Sequence, residues 1–140
     1  MVGGLERTYV VARPAQALTG VLPVVIVLHG RDMTPAHMER DSVLPPAARA
    51  IVVYPAGYGR SWNAGACCGP AHADRVDDVA FLAAVVREVL RGEPGASADA
   101  VFLLGYSNGG RMALRMASRQ KQSTGTPSPR SRTWWPSGAS

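Results

Sequence analysis

Residues 101–110 read Val-Phe-Leu-Leu-Gly-Tyr-Ser-Asn-Gly-Gly, and residues 111–117 continue Arg-Met-Ala-Leu-Arg-Met-Ala. Four consecutive apolar residues, 101–104, are a strand pattern, and the run after Ser107 has the spacing of a helix. Between them Gly105 and Gly109 stand two positions either side of Ser107. Glycine is needed there because larger side chains collide when a strand turns sharply into a helix. The stretch therefore predicts a strand over 100–104, a tight turn with Ser107 at its tip, and a helix from 108 to about 119.

Upstream of this turn the pattern alternates in the same way. Residues 6–12 form a loosely alternating strand ended by Pro14, and Val-Val-Ile-Val-Leu at 24–28 is a β-branched run suited to a buried parallel strand. Pro35 after Thr34 starts a short helix, and Ile-Val-Val-Tyr at 51–54 is another short strand. A long loop covers 58–75. A helix follows over 76–91, with Val76, Val79, Ala80, Ala83, Val86 and Leu90 on its inner face. Asp77 and Asp78 in its first turn and Arg87 and Arg91 near its end suit the helix dipole. Strands separated by helices predict an α/β fold, a mostly parallel sheet with flanking helices.

The chain has 140 residues, within the size of one domain, and a net charge of +5. That charge is not spread over the fold. Residues 1–110 carry nine arginines against ten acids, while 111–140 carry six basic residues and no acid. A basic tail without interleaved aromatic residues in the folded part gives no case for nucleic acid. No apolar run reaches the ~20 residues of a membrane span, and the N-terminus shows no signal-peptide pattern. Residues 1–119 are expected to form a partial domain and 120–140, rich in Pro, Ser and Arg, a disordered basic tail. Cys67 and Cys68 are too few for a disulfide scaffold. They are open to three readings: free thiols, a strained ring between neighbours, or a bridge to a cysteine outside this sequence. No metal-ligand spacing surrounds them, and no cofactor is expected.

A serine on such a turn is the nucleophile elbow of α/β-hydrolases. Ser107 is the candidate nucleophile, and its hydroxyl needs an adjacent base. Two backbone N–H groups are candidate oxyanion donors: that of Asn108, and that of Arg31 in the loop after the strand at 24–28. Elbow hydrolases take their acid and histidine after the serine, yet no Asp, Glu or His follows Ser107. His29 is expected to organise its own loop rather than act as base, and His37 and His72 are expected at the surface. Asp77 and Asp78 are read as helix caps, and Tyr106 as a buried structural residue. Trp62 is open to two readings, a weak substrate-binding face or a pin for the long loop. Gly105 to Gly110 does not match the dinucleotide-binding spacing.

Five segments together resemble one family: Val-Leu-His-Gly at 27–30, Val-Val-Tyr-Pro-Ala-Gly at 52–57, Ser-Trp-Asn-Ala-Gly-Ala-Cys-Cys-Gly-Pro at 61–70, Val-Asp-Asp-Val-Ala-Phe-Leu at 76–82, and Gly-Tyr-Ser-Asn-Gly-Gly at 105–110. They resemble the polyhydroxybutyrate depolymerase and feruloyl-esterase-like group of α/β-hydrolases, over residues 5–118. The resemblance implies the N-terminal portion of a carboxylic ester hydrolase, commonly secreted, that forms an acyl-serine with short polyester or phenolic ester substrates. It carries over Ser107, Asn108 and Arg31, and places the acid and the histidine downstream. It also implies a cysteine in the elbow helix where this chain has Ser118. The abrupt change after Ser118 is what an out-of-frame reading of a GC-rich gene would give. The expectation is an ester hydrolase inactive in this form for want of its acid and histidine. The alternative is a non-catalytic protein that binds a partner through an exposed sheet edge or its basic tail.

Overall fold

The apolar runs assemble side by side in a computed structural model, which describes residues 3–14, 19–41, 44, 49–67 and 69–124, without the side chains of 120–124. Among the described residues four strands, β1 (Tyr9–Ala12), β2 (Leu22–Leu28), β3 (Ile51–Pro55) and β4 (Ala96–Gly105), form one sheet in the order β1-β3-β2-β4. β2 is parallel to both β3 and β4, whereas β1 runs antiparallel to β3 at the edge. The sheet is mixed, mostly parallel, and the chain is α/β. β4 pairs Val101 to Gly105 with Val24 to Leu28, so the turn after it lies beside the end of β2.

Four helices accompany these strands among the described residues: α1 (Pro35–Arg40) between β2 and β3, α2 (Pro70–Ala73) and α3 (Asp78–Gly92) between β3 and β4, and α4 (Asn108–Thr124) after β4. One face of the sheet (Val24, Ile26, Leu28, Ile51, Val53 and Val101) packs with Trp62, Phe81, Leu82, Val85, Val89, Met112 and Met116 into the main core. The other face is covered more thinly, with Val27, Val52 and Tyr54 meeting Met38 and Leu44. As an edge strand β4 leaves Phe102 50% and Leu104 38% exposed on that thin side.

Three sequence expectations change here. The inner face of α3 is Asp78, Phe81, Leu82, Val85, Val86 and Val89, a rotation away from Val79, Ala80, Ala83 and Leu90. Burying a Phe or Leu side chain contributes about 1.5–3 kcal/mol, more than an alanine can, so Phe81 and Leu82 set the inward face. Residues 70–73 within the expected loop form the short α2. Helix α4 continues to Thr124, five positions past the expected boundary at Arg119, and the rest of the tail lies outside the described residues.

Candidate active site

Ser107 sits between β4 and α4 with φ +52°, a left-handed conformation that costs a non-glycine residue roughly 1–2 kcal/mol. Neighbouring backbone holds it there. Tyr106 N–H donates to the Leu28 carbonyl at 3.1 Å, Gly109 N–H to Tyr106 at 2.9 Å and Arg111 N–H to Ser107 at 3.1 Å. A Cβ on Gly105 would overlap the backbone of Gly109 and Gly110, and one on Gly109 would overlap the carbonyls of Leu28 and His29. The two glycines thus let the end of β4, the start of α4 and the end of β2 meet backbone to backbone. The Ser107 side chain projects from this junction exposed to solvent, and its hydroxyl has no hydrogen-bond partner among the described residues.

Asn108 follows, 4% exposed. Its carboxamide closes a two-bonded ring on Trp62: Oδ1 accepts the Trp62 N–H at 2.7 Å, and Nδ2 donates to the Trp62 carbonyl at 3.1 Å. The Trp62 indole N–H donates to the His29 carbonyl at 2.9 Å, and its ring stacks on Phe81 with centroids 6.5 Å apart. Trp62 is 0% exposed. Its face is therefore covered by protein and not open to a ligand; of its two readings, the structure supports the pin. The pin spans the two candidate donor segments, because His29 begins the loop to Arg31. Arg31 itself is exposed, in a tight turn where Met33 N–H donates to Gly30 at 3.2 Å and Asp32 N–H to Arg60 at 2.8 Å. Neither the Arg31 nor the Asn108 backbone N–H has an acceptor among the described residues.

The histidines are committed elsewhere. His29 Nδ1 donates to the Gly30 carbonyl at 2.7 Å, and Nε2 accepts the Gly57 N–H at 2.9 Å. Those two bonds define the neutral tautomer and leave no lone pair for a serine proton. Burial pushes the imidazole pKa below its ordinary value, opposed by the bond to Gly30. The expectation that His29 organises its loop agrees with this geometry. His37 Nδ1 accepts the Thr34 N–H at 3.0 Å at the start of α1, and His72 Nδ1 lies 3.3 Å from Asn63 Oδ1.

Two expectations about side chains near the site are corrected. Tyr106 is 61% exposed, not buried, because β4 is an edge strand and nothing described covers that side. With Val27, Met33, Met38 and Leu104 it borders an apolar cleft of about 470 Å³ on the thin face of the sheet. Asp77 does cap α3, accepting the Ala80 N–H at 3.0 Å, but Asp78 is no solvated dipole partner. It is 0% exposed and holds Arg7 Nη2 at 2.8 Å. Arg7, absent from the sequence reading, lies 3.9 Å above the Phe81 ring. A separation of 71 positions leaves no local pattern by which the pair could be found. Cys67 is disulfide-bonded, which removes the free-thiol reading for it; Cys68 lies outside the described residues. Among the described residues no group of three or more His, Cys, Asp or Glu side chains is placed to hold a metal ion, and no helix is long and apolar enough to cross a membrane.

The fold and site define an α/β chain presenting an unpaired serine hydroxyl on a strained strand-to-helix turn. Its sequence is esterase-like: it is 39% identical over 123 residues to the protein named "Putative esterase NocK" from Nocardia uniformis subsp. tsuyamanensis. The match takes in 84% of this chain and 36% of that relative, so the chain spans about a third of its length. No family model matches the chain.

Proposed function

We propose that this chain is the nucleophile-bearing part of a carboxylic ester hydrolase of the polyhydroxybutyrate depolymerase or feruloyl-esterase type, with Ser107 forming the acyl-enzyme. The observation that carries the reading is the positive φ of Ser107 at a strand–helix junction, with its hydroxyl exposed and unpaired. Attack by Ser107 Oγ on an ester carbonyl gives a tetrahedral oxyanion, for which the unbonded N–H groups of Asn108 and Arg31 are the donors. The Oγ proton must pass to a base and from there to the leaving alcohol. Within these 140 residues none of the three histidines bonds to Ser107, and no acid or histidine follows it. Residues 1–140 alone therefore do not turn over esters.

The test has two arms, read with p-nitrophenyl acetate, methyl ferulate and a hydroxybutyrate oligomer. In the first, the chain and its Ser107→Ala variant give the same background rate; turnover lost with Ser107 refutes the inactivity. In the second, this chain's matched residues replace those of the Nocardia relative, with that relative as control. The hybrid should hydrolyse an ester and lose the activity with Ser107→Ala. A folded hybrid without Ser107-dependent turnover, beside an active control, refutes the assignment of Ser107.

A further inference from the structure

The peptide group between Trp62 and Asn63 is gripped from both sides. Its carbonyl accepts Asn108 Nδ2–H at 3.1 Å, and its N–H donates to Asp78 Oδ2 at 2.7 Å. The other Asp78 oxygen holds Arg7 Nη2 at 2.8 Å. One peptide plane thus joins a carboxylate on α3 to the carboxamide of the residue after Ser107, with Asp78, Trp62 and Asn108 all buried.

We propose that Asp78 is a positioning residue that orients Asn108, and with it the Asn108 backbone N–H, through the Trp62–Asn63 peptide. The value of that orientation for catalysis rests on the reading of Ser107 as nucleophile. Three observations carry the coupling. A hydrogen bond to an ionised acceptor is roughly twice as strong as a neutral one, and a peptide whose N–H is so bound presents a more polarised carbonyl to the group beyond it. The Asn108 carboxamide is two rotatable bonds from its backbone, so fixing both its ends on Trp62 fixes that backbone too. Finally, a buried ion pair is weak grounds for stability, since apolar residues of similar size serve as well. Arg7 even leaves its Nε buried without a hydrogen-bond partner. What a carboxylate supplies at position 78, and a leucine does not, is an acceptor facing the Asn63 N–H.

The chain has two asparagines, Asn63 and Asn108, so nitrogen-15 asparagine labelling of the full chain resolves both backbone and both carboxamide groups by NMR. The informative variants are Arg7→Met/Asp78→Leu and Arg7→Met/Asp78→Asn. Both remove the ion pair, and only the second keeps an acceptor opposite Asn63. In the leucine variant the Asn108 carboxamide should exchange with solvent about tenfold faster and the Asn108 backbone resonance should shift. The asparagine variant should recover most of that protection. Equal Asn108 exchange in the two variants overturns the proposal. Should the leucine variant not fold, Arg7→Met/Asp78→Val takes its place, and Asn108 exchange equal to that of the asparagine variant overturns the proposal. No turnover is read, so failure here is separable from failure of the esterase assignment.

Discussion

A matched pair of glycine substitutions tests the packing that holds the elbow. Gly92, the last residue of α3, has open space where a Cβ would go. Gly92→Ala should stabilise the chain by up to about 1 kcal/mol, the ordinary gain of alanine over glycine in a helix. Gly109, in the first turn of α4, offers the same helical gain but places its Cβ on the Leu28 and His29 carbonyl oxygens. Both obstacles are backbone, so no rotamer change relieves them, and α4 must move off the end of β2. Overpacking of that kind costs about 1–3 kcal/mol. The same two carbonyls also accept Tyr106 N–H and the Trp62 indole N–H, bonds of about 1 kcal/mol each that weaken as the contact opens. Gly109→Ala should therefore destabilise the chain by about 2–4 kcal/mol net. For a chain of this size the two variants should then melt on the order of 10 °C or more apart. Urea denaturation followed by circular dichroism, at constant m-value, measures the difference. A Gly109→Ala variant within about 0.5 kcal/mol of the wild type would mean that α4 does not rest on β2 at this point, and the account of the strained Ser107 would fail with it.

Three further outcomes follow from the same contacts. His29 has a folded pKa below its unfolded value, so the unfolded chain binds the proton first as pH falls. Stability is then full above about pH 6.5 and declines as pH drops below it; urea midpoints should fall from pH 7.5 to 5.5, less steeply in His29→Asn, and equal slopes would count against the neutral tautomer. Arg7→Met strands the buried Asp78 carboxylate and should cost about 3–5 kcal/mol in guanidinium denaturation, most of it recovered in Arg7→Met/Asp78→Leu; a loss under about 1 kcal/mol would show the pair to be solvated. Phe102→Lys, at a half-exposed position on the edge strand, should reduce light scattering at high protein concentration without lowering the melting temperature; unchanged scattering would put the sticky surface elsewhere.

How much of this was legible in the sequence depended on distance along the chain. The elbow was readable because strand, turn and helix are consecutive, and the glycines advertise the crowding that GXSXG geometry creates. The strands at 24–28 and 51–54 were readable because continuous β-branched residues have few other uses. The inward face of α3 was not, because small residues such as Ala80 and Ala83 fit either side, and the choice fell to Phe81 stacking beneath Trp62. Asp78 reads as a cap from the sequence because it stands beside a real one, Asp77. Arg7, distant in sequence, and the Asn63 N–H together make burial of its charge tolerable.

Trp62 shows why the remaining ambiguity at the site was physical. An indole beside a candidate nucleophile suits a ligand face as well as a loop anchor, and its neighbours in sequence favour neither. What separates the readings is the use of its polar groups: indole N–H, backbone N–H and carbonyl are all bonded within the protein. A residue with every polar group so used, and no exposed surface, belongs to the scaffold. The same accounting extends around the turn. His29 spends both ring nitrogens on Gly30 and Gly57, Asn108 spends its carboxamide on Trp62, and Asp78 spends both oxygens on Arg7 and Asn63. The hydrogen-bonding capacity of these buried groups is thus consumed within the protein, while the serine hydroxyl at the turn stays unpaired among the described residues. Recruiting any of these groups as the proton acceptor would dismantle the support of the candidate oxyanion donors, so a base for Ser107 has to come from outside this set of contacts.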